Sequence, residues 1–279
     1  MENVCSSPLV MGIINVNNES FYSESRCITV ESFKERLDRM IADGADIIDI
    51  GACSTRPGST PVSMEQEWGY LKEPLKSLAS IKNIKISIDT FRSEIVRRAY
   101  DVIGPFIVND ISAGEDDSLM LTTVGELGLK YIAMHKRGTP DTMQQLCSYP
   151  NGVVNEVSDY FIKFGERASA CSIEDYIIDP GFGFAKSVEQ NYELFRGMPK
   201  MMEIVSSANN SKSKTCKPAL LVGISRKSML WKLLQITPDE ALAATAALNL
   251  QALMLGADIL RVHDVKEAVQ CVKMYSMLK

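Results

Sequence analysis

The sequence predicts an α/β protein, a TIM (β/α)8 barrel with its active site at the C-terminal face of the strands. Three observations predict it. Eight short apolar runs of strand length alternate with helix-like segments along the chain. The alternation occupies about 270 residues, and this fold typically takes about 250. Nearly every strand run is followed at once by a compact polar cluster, while the opposite junctions are plain helix caps. A doubly wound open sheet is the structural alternative, but it usually has fewer strands and one glycine-rich nucleotide loop.

The strand runs are Leu9–Ile14, Asp46–Ile50, Lys85–Ile88, Phe106–Val108, Tyr131–Met134, Tyr176–Ile178, Ala219–Val222 and Ile259–Val262. Between them Val30–Asp43, Ser93–Val102, Ser118–Leu127, Asn155–Ala170, Val188–Ser206 and Pro238–Leu255 read as helices. Many carry apolar residues at three- and four-residue spacing, as helices laid against a sheet do. Gly44, Gly128 and Gly256 each fall where a helix should end before a strand. The polar insert Ser206 to Lys217 reads as a surface loop before the seventh strand. With no linker or repeat in view, residues 1–279 read as a single barrel domain.

The composition narrows the function. A hydrophobic fraction of 46% and a charged fraction of 23% are those of an ordinary soluble globular protein. A net charge of -5 without a basic block argues against nucleic-acid binding, though small anions remain possible ligands. The seven cysteines are widely spaced and include no Cys-x-x-Cys pair, which suits a reducing compartment and no structural zinc. Met1 to Pro8 shows no secretory pattern. Ala241 to Leu260 is apolar, but Thr245, Asn249, Gln251 and Asp258 interrupt it, so a buried helix running into a strand is expected rather than a membrane span. A soluble cytoplasmic protein is the expectation.

In such a barrel the chemistry sits on the loops after the strands. Asn15, then Asn17 to Phe21, follow the first strand; Asp49 and Ser54-Thr55-Arg56-Pro57-Gly58 follow the second. Asp89-Thr90, Asn109-Asp110, His135 and Asp179-Pro180-Gly181 through Phe184 follow the next four. Ser225-Arg226-Lys227-Ser228 follows the seventh, and Arg261, His263 and Asp264 close the eighth. Each cluster also has a plain structural reading. Asp89 and Asp179 could cap helices, and Asn109-Asp110 could be only a turn. Either histidine could be a packed residue, although both of the chain's two fall at strand ends. Gly181-Phe182-Gly183 lacks the third glycine of a dinucleotide fingerprint, because Lys186 stands there. Arg56, Lys227, Arg261 and His263 converging on one mouth would hold an anion, with Asp89, Asp179 and Asn109 left for polar, amide-like edges.

These motifs, in this order, resemble the dihydropteroate synthase family over essentially the whole chain. The resemblance rests on Met11-Gly12-Ile13-Ile14-Asn15-Val16, STRPG at 54–58, Ile88-Asp89-Thr90, Val108-Asn109-Asp110, Met134-His135, Asp179 to Phe184, SRKS at 225–228 and Arg261-Val262-His263-Asp264-Val265. It implies a transferase of folate biosynthesis, a sulfonamide target, that joins a pterin-methyl diphosphate to 4-aminobenzoate and releases pyrophosphate. It further implies Mg2+ on Asn15, diphosphate on Asn15, Thr55, Arg56, Arg261 and His263, and pterin on Asp89, Asn109, Met134, Asp179 and Lys227. 4-Aminobenzoate would lie at Phe184, Ser228 and Phe21. Lys227, Arg261, His263 and Asp89 would carry the catalysis, in a homodimer. The chain departs from the family in the first loop, at Asn17, Asn18, Glu19 and Ser23. It departs again at Ala52-Cys53, where Gly-Glu is usual, and at Ala185-Lys186-Ser187, where Gly-Lys-Thr is usual. A corrinoid-methyltransferase type of pterin barrel would share the pterin residues but needs neither STRPG, SRKS nor the Arg–His pair. A non-catalytic pterin-binding paralogue is the other alternative.

Overall fold

The computed structural model describes residues 7–17, 29–53, 62–78, 81, 84–139, 142–210 and 217–279. Eight parallel strands close into a barrel in sequence order. They are β1 (Leu9–Asn15), β2 (Ile47–Gly51), β3 (Lys85–Asp89), β4 (Ile107–Asp110), β5 (Lys130–Met134), β6 (Tyr176–Asp179), β7 (Ala219–Val222) and β8 (Ile259–Val262). Each falls on its predicted run, with ends moved by no more than two residues. Outside them lie α1 (Val30–Ala42), α2 (Met64–Ser77), α3 (Ser93–Ile103), α4 (Met120–Glu126), α5 (Val153–Ala170), α6 (Val188–Arg196), α7 (Met198–Asn210), α8 (Ser228–Leu234), α9 (Leu242–Met254) and α10 (Val265–Leu278).

Successive strand residues point to opposite faces, so each strand feeds two cores. Ile48, Ile50, Ile88, Val108, Tyr131, Ile178, Leu220 and Leu260 face outward and pack with the helices. Met11, Ile47, Ile107, Ile132, Ile177, Leu221 and Ile259 face inward and form a separate apolar floor. The register places Asp49 beside Ser87, Gly51 beside Asp89, Asp89 beside Asn109 and Met134 beside Asp179. The inward positions above the floor are therefore mostly polar, Asp49, Asp89, Asn109, Asp179 and Arg261 among them, with Met134 beside Asp179.

Local chemistry sets the helix limits. Thr29–Ser32, Ser63–Gln66 and Ser187–Gln190 form capping boxes at the starts of α1, α2 and α6. Gly44, Gly128 and Gly256 take the positive φ values of 96°, 61° and 94° expected of cap glycines. The helix read as Val188–Ser206 is in fact two. Gly197 lets Val154 of α5 approach, since a Cβ there would lie 2.4 Å from its Cγ2. Pro199, which lacks an N–H, then sits in the first turn of a new helix. α7 runs to Asn210, into the segment read as a loop. α4 is shorter than expected because the Asp117 carboxylate accepts from the Ser93 and Leu119 amides and turns the chain. α2, α8 and α10 were not singled out in the sequence. The stretch from Ala241 divides into α9 and β8, and no described helix is long and apolar enough to cross a membrane.

Candidate active site

The polar layer is organised around Arg261 of β8. Its guanidinium donates to Asp49 Oδ2 from Nε at 2.7 Å and to Asp89 Oδ2 from Nη2 at 2.8 Å. Asn109 Nδ2 donates to the same Asp49 oxygen at 3.0 Å. Asp49 is fully buried, and its second oxygen has no hydrogen-bond partner among the described residues. A Cβ at Gly51 would lie 3.2 Å from Asp89 Cβ, so the glycine leaves that aspartate its place. Gly223, just past β7, lies between Arg261 and Asp179; a Cβ there would be 3.7 Å from the arginine's Cβ and 3.8 Å from Asp179 Oδ2.

Asp179 accepts from the Gly181 amide at 2.8 Å, a local turn rather than a helix cap. At the start of α3 it is Asp117 that accepts the Ser93 amide, at 2.7 Å, so Asp89 is not the cap there. Lys227 Nζ donates to the Phe182 carbonyl at 2.6 Å and lies 5.0 Å from the Phe184 ring centroid. Met134 is buried at the end of β5, opposite Asp179. Asn15 ends β1, and Ser228 opens α8. Thr55, Arg56 and Phe21 lie outside the described residues.

Burial dominates the electrostatics here. It raises the Asp89 carboxyl above the usual range, with Arg261 opposing and Asp49 adding to the rise. It also raises Asp179, against the pull of Lys227. Burial lowers Lys227 to about 8, although Asp179 works the other way. Burial acts against the charge of Arg261 too, but Asp49 and Asp89 outweigh it and hold the guanidinium firmly protonated. His263 is lowered to about 3 by burial and by Arg261 and Arg226, so its ring is neutral. Ser225 Oγ lies 3.1 Å from His263 Nδ1 and also accepts the His263 backbone N–H. A hydroxyl proton given to Nδ1 would leave the ring proton on Nε2. The layer thus holds carboxylate acceptors and cationic donors interleaved, with Arg261 between Asp49 and Asp89.

The structure brings Asp89, Asn109, Met134, Asp179, Lys227 and Arg261 to one mouth, with His263, Phe184 and Asn15 at strand ends or on the loops that rim it. Several other expectations resolve as structural. Arg226 is buried and binds both Asp264 oxygens at 2.9 Å, plus the Pro238 and Asp239 carbonyls. Within SRKS it therefore braces the fold and does not face a ligand. Asp110 takes the turn reading, accepting from Ser112, Gly114 and the Tyr131 hydroxyl. His135 takes the packed reading, edge-on to Tyr160 at 4.9 Å and lowered well below its usual pKa by burial. Two residues received no role from the sequence. Asp49 reads from the sequence only as part of a polar cluster, and Lys186 only as an interruption of a glycine pattern and as the middle of Ala185-Lys186-Ser187. Arg92 is also knit in, joined to buried Glu67, which accepts the Thr90 hydroxyl at 2.6 Å.

Fold and mouth together define a class: a (β/α)8 enzyme with an acidic, arginine-braced pocket at the C-terminal ends of its strands. Residues 11–263 match the profile of the pterin-binding enzyme family. The chain is 37% identical over 270 residues to the dihydropteroate synthase of Escherichia coli (strain K12), covering 96% of this chain and 90% of that one. The Yersinia pestis dihydropteroate synthase in complex with a sulfonamide drug superposes with a TM-score of 0.88 at 31% identity, over 98% of this chain and 94% of that one. The Xanthomonas albilineans dihydropteroate synthase with 4-aminobenzoic acid gives 0.84 at 31% identity, over 98% and 93%. The chain belongs to the pterin-binding enzyme family and, within it, to the dihydropteroate synthases, transferases of folate synthesis.

Proposed function

We propose that this chain condenses (7,8-dihydropterin-6-yl)methyl diphosphate with 4-aminobenzoate, giving 7,8-dihydropteroate and pyrophosphate. The observation that carries the reading is the inward ring of Asp49, Asp89, Asn109, Asp179 and Arg261, with Lys227 at the N-cap of α8 after β7. A pterin presents N–H and amino donors on one edge and a carbonyl beside them. Aspartates 89 and 179 with Asn109 would take that edge, and Lys227 would donate to the carbonyl. Met134 would pack on the ring face.

The diphosphate would lie at the mouth against Arg261 and His263, with Thr55 and Arg56. Neutral His263 would meet it as an N–H donor, and Arg261 as the fixed charge. Phe184, Ser228 and Phe21 would seat 4-aminobenzoate. The methylene C–O bond to diphosphate breaks, the arylamine nitrogen forms the new C–N bond, and the amine gives up one proton. An aniline nitrogen is already a nucleophile, so no strong base is required. Orientation and charge around the leaving group would carry the rate.

Asn15 offers an amide oxygen, a ligand type that Mg2+ accepts. Among the described residues no cluster of three or more His, Cys, Asp or Glu could hold a metal. One protein oxygen plus substrate phosphates is a usual way to bind Mg2+, so Asn15 fits that mode. When bound, the ion would supply positive charge to the departing diphosphate. We place the enzyme in the cytoplasm as a homodimer; exposed Met254 of α9 and Met274, Met277 and Leu278 of the adjoining α10 offer apolar surface for pairing. Pyrophosphate release should require both substrates and magnesium. A corrinoid methyl transfer, or pterin binding without turnover, would overturn the reading.

A further inference from the structure

The segment from Gly181 to Lys186, between β6 and α6, places three of its residues in the left-handed region. Gly181, Gly183 and Ala185 take φ values of 68°, 84° and 49°. Gly181 admits no side chain, because a Cβ would lie 1.9 Å from the His135 carbonyl. Ala185 has a Cβ and takes the left-handed region nonetheless, at a cost on the order of 1 kcal/mol. Something must hold these turns.

Lys186 does so from beneath. Its Nζ lies 2.9 Å from the Gly181 carbonyl, 3.0 Å from the Phe184 carbonyl and 3.0 Å from His135 Nδ1. The residue is only 3% exposed, and among the described residues no carboxylate is hydrogen-bonded to it. Burying an ammonium without a directly bonded carboxylate is expensive, so its three partners must matter to the fold or to the site. Burial lowers Lys186 to about 7, with Asp179 opposing and Lys227 and Arg137 adding to the fall. Charged or neutral, the amine keeps at least two N–H donors for the two carbonyls. Those carbonyls frame Phe182, whose own carbonyl receives Lys227, and Phe184, whose ring lies against Lys227.

Resting on the function proposed above, we propose that Lys186 is a positioning residue for the arylamine half of the site. It sets the ring of Phe184, whose own carbonyl its Nζ holds. It touches no substrate. Its removal should therefore loosen 4-aminobenzoate binding more than it slows the chemistry.

The test compares Lys186→Met and Lys186→Gln with wild type in the full chain, by steady-state kinetics at saturating pterin diphosphate and by thermal unfolding. Lys186→Met should raise KM for 4-aminobenzoate at least about tenfold while kcat falls less than about threefold, and Lys186→Gln, which keeps a donor, should lie between. An unchanged KM, or a kcat loss that matches the KM rise, overturns the proposal. If the methionine variant does not fold, the glutamine variant carries the same comparison. Hydrogen exchange of the amides from Phe182 to Ala185 reads the clamp without substrate and should quicken in the variants. Failure of wild type to turn over would overturn the functional reading instead. The exchange rates would then decide the clamp, unchanged rates counting against it.

Discussion

Along β2, β4, β6 and β8 the floor residues are Ile47, Ile107, Ile177 and Ile259, and the next inward residues are Asp49, Asn109, Asp179 and Arg261. Two residues of strand, roughly 6.6 Å, separate the layers. The floor is a dry, branched-aliphatic plug with no polar partner to satisfy. The layer above holds charges whose burial is unfavourable and which persist because Arg261 bridges two aspartates. One strand thus supplies stability at one inward position and chemistry at the next. Mutations in the two layers should fail in different ways.

Ile177→Ala should produce the largest loss of stability. It removes a buried branched side chain from the floor, and such truncations cost about 2–5 kcal/mol. Denaturant unfolding measures that loss, while kcat/KM per folded molecule should stay near wild type. Asp49→Asn should do less to the fold and more to the site, costing about 1–3 kcal/mol because buried Asp49 then meets Arg261 without charge. Turnover should fall with it, and an Asp49→Asn enzyme with normal kinetics would show that Arg261 is held by Asp89 alone.

Two pH effects sharpen the contrast. Lys227 loses its proton near pH 8 in the folded chain, so kcat/KM should decline as pH rises through that value. Lys227→Arg should move this limb to higher pH, even with a lower plateau. For stability the sign is opposite: between about 8 and 10.5 the unfolded chain binds the extra proton, so this group favours folding increasingly as pH rises. His263 acts at the acid end. Its folded pKa near 3 lies below the ordinary 6.5, so its contribution is lost as pH falls from 6.5 toward 3. His263→Gln should flatten the acid limb of thermal stability, and an unchanged limb would place the cause in other groups.

Much of this was legible in the sequence. Strand runs with polar residues at their ends name Asp89, Asp179, Lys227 and Arg261, because a barrel delivers strand termini to one face. Asp49 was not legible as a brace, since its partner Arg261 is 212 residues away and only closure of the barrel joins them. Lys186 was hidden for the same reason, its role depending on His135, 51 residues earlier. The break between α6 and α7 was readable from Gly197 and Pro199, but the apolar spacing on either side carried the eye across it. Arg226 reads only as one member of the SRKS cluster, and its role as a brace depends on Asp264, 38 residues later.

The most direct test of the polar layer as the pterin reader is calorimetric titration of 6-hydroxymethylpterin onto wild type, Asp179→Asn and Ile177→Ala. Wild type should bind one pterin per chain. Asp179→Asn turns an acceptor into a donor facing donors, and its affinity should fall at least about a hundredfold. Ile177→Ala, two residues below, should bind within about threefold of wild type under folding conditions, since it touches only the floor. Equal affinities for wild type and Asp179→Asn, with both proteins folded, would contradict the assignment and place the pterin elsewhere.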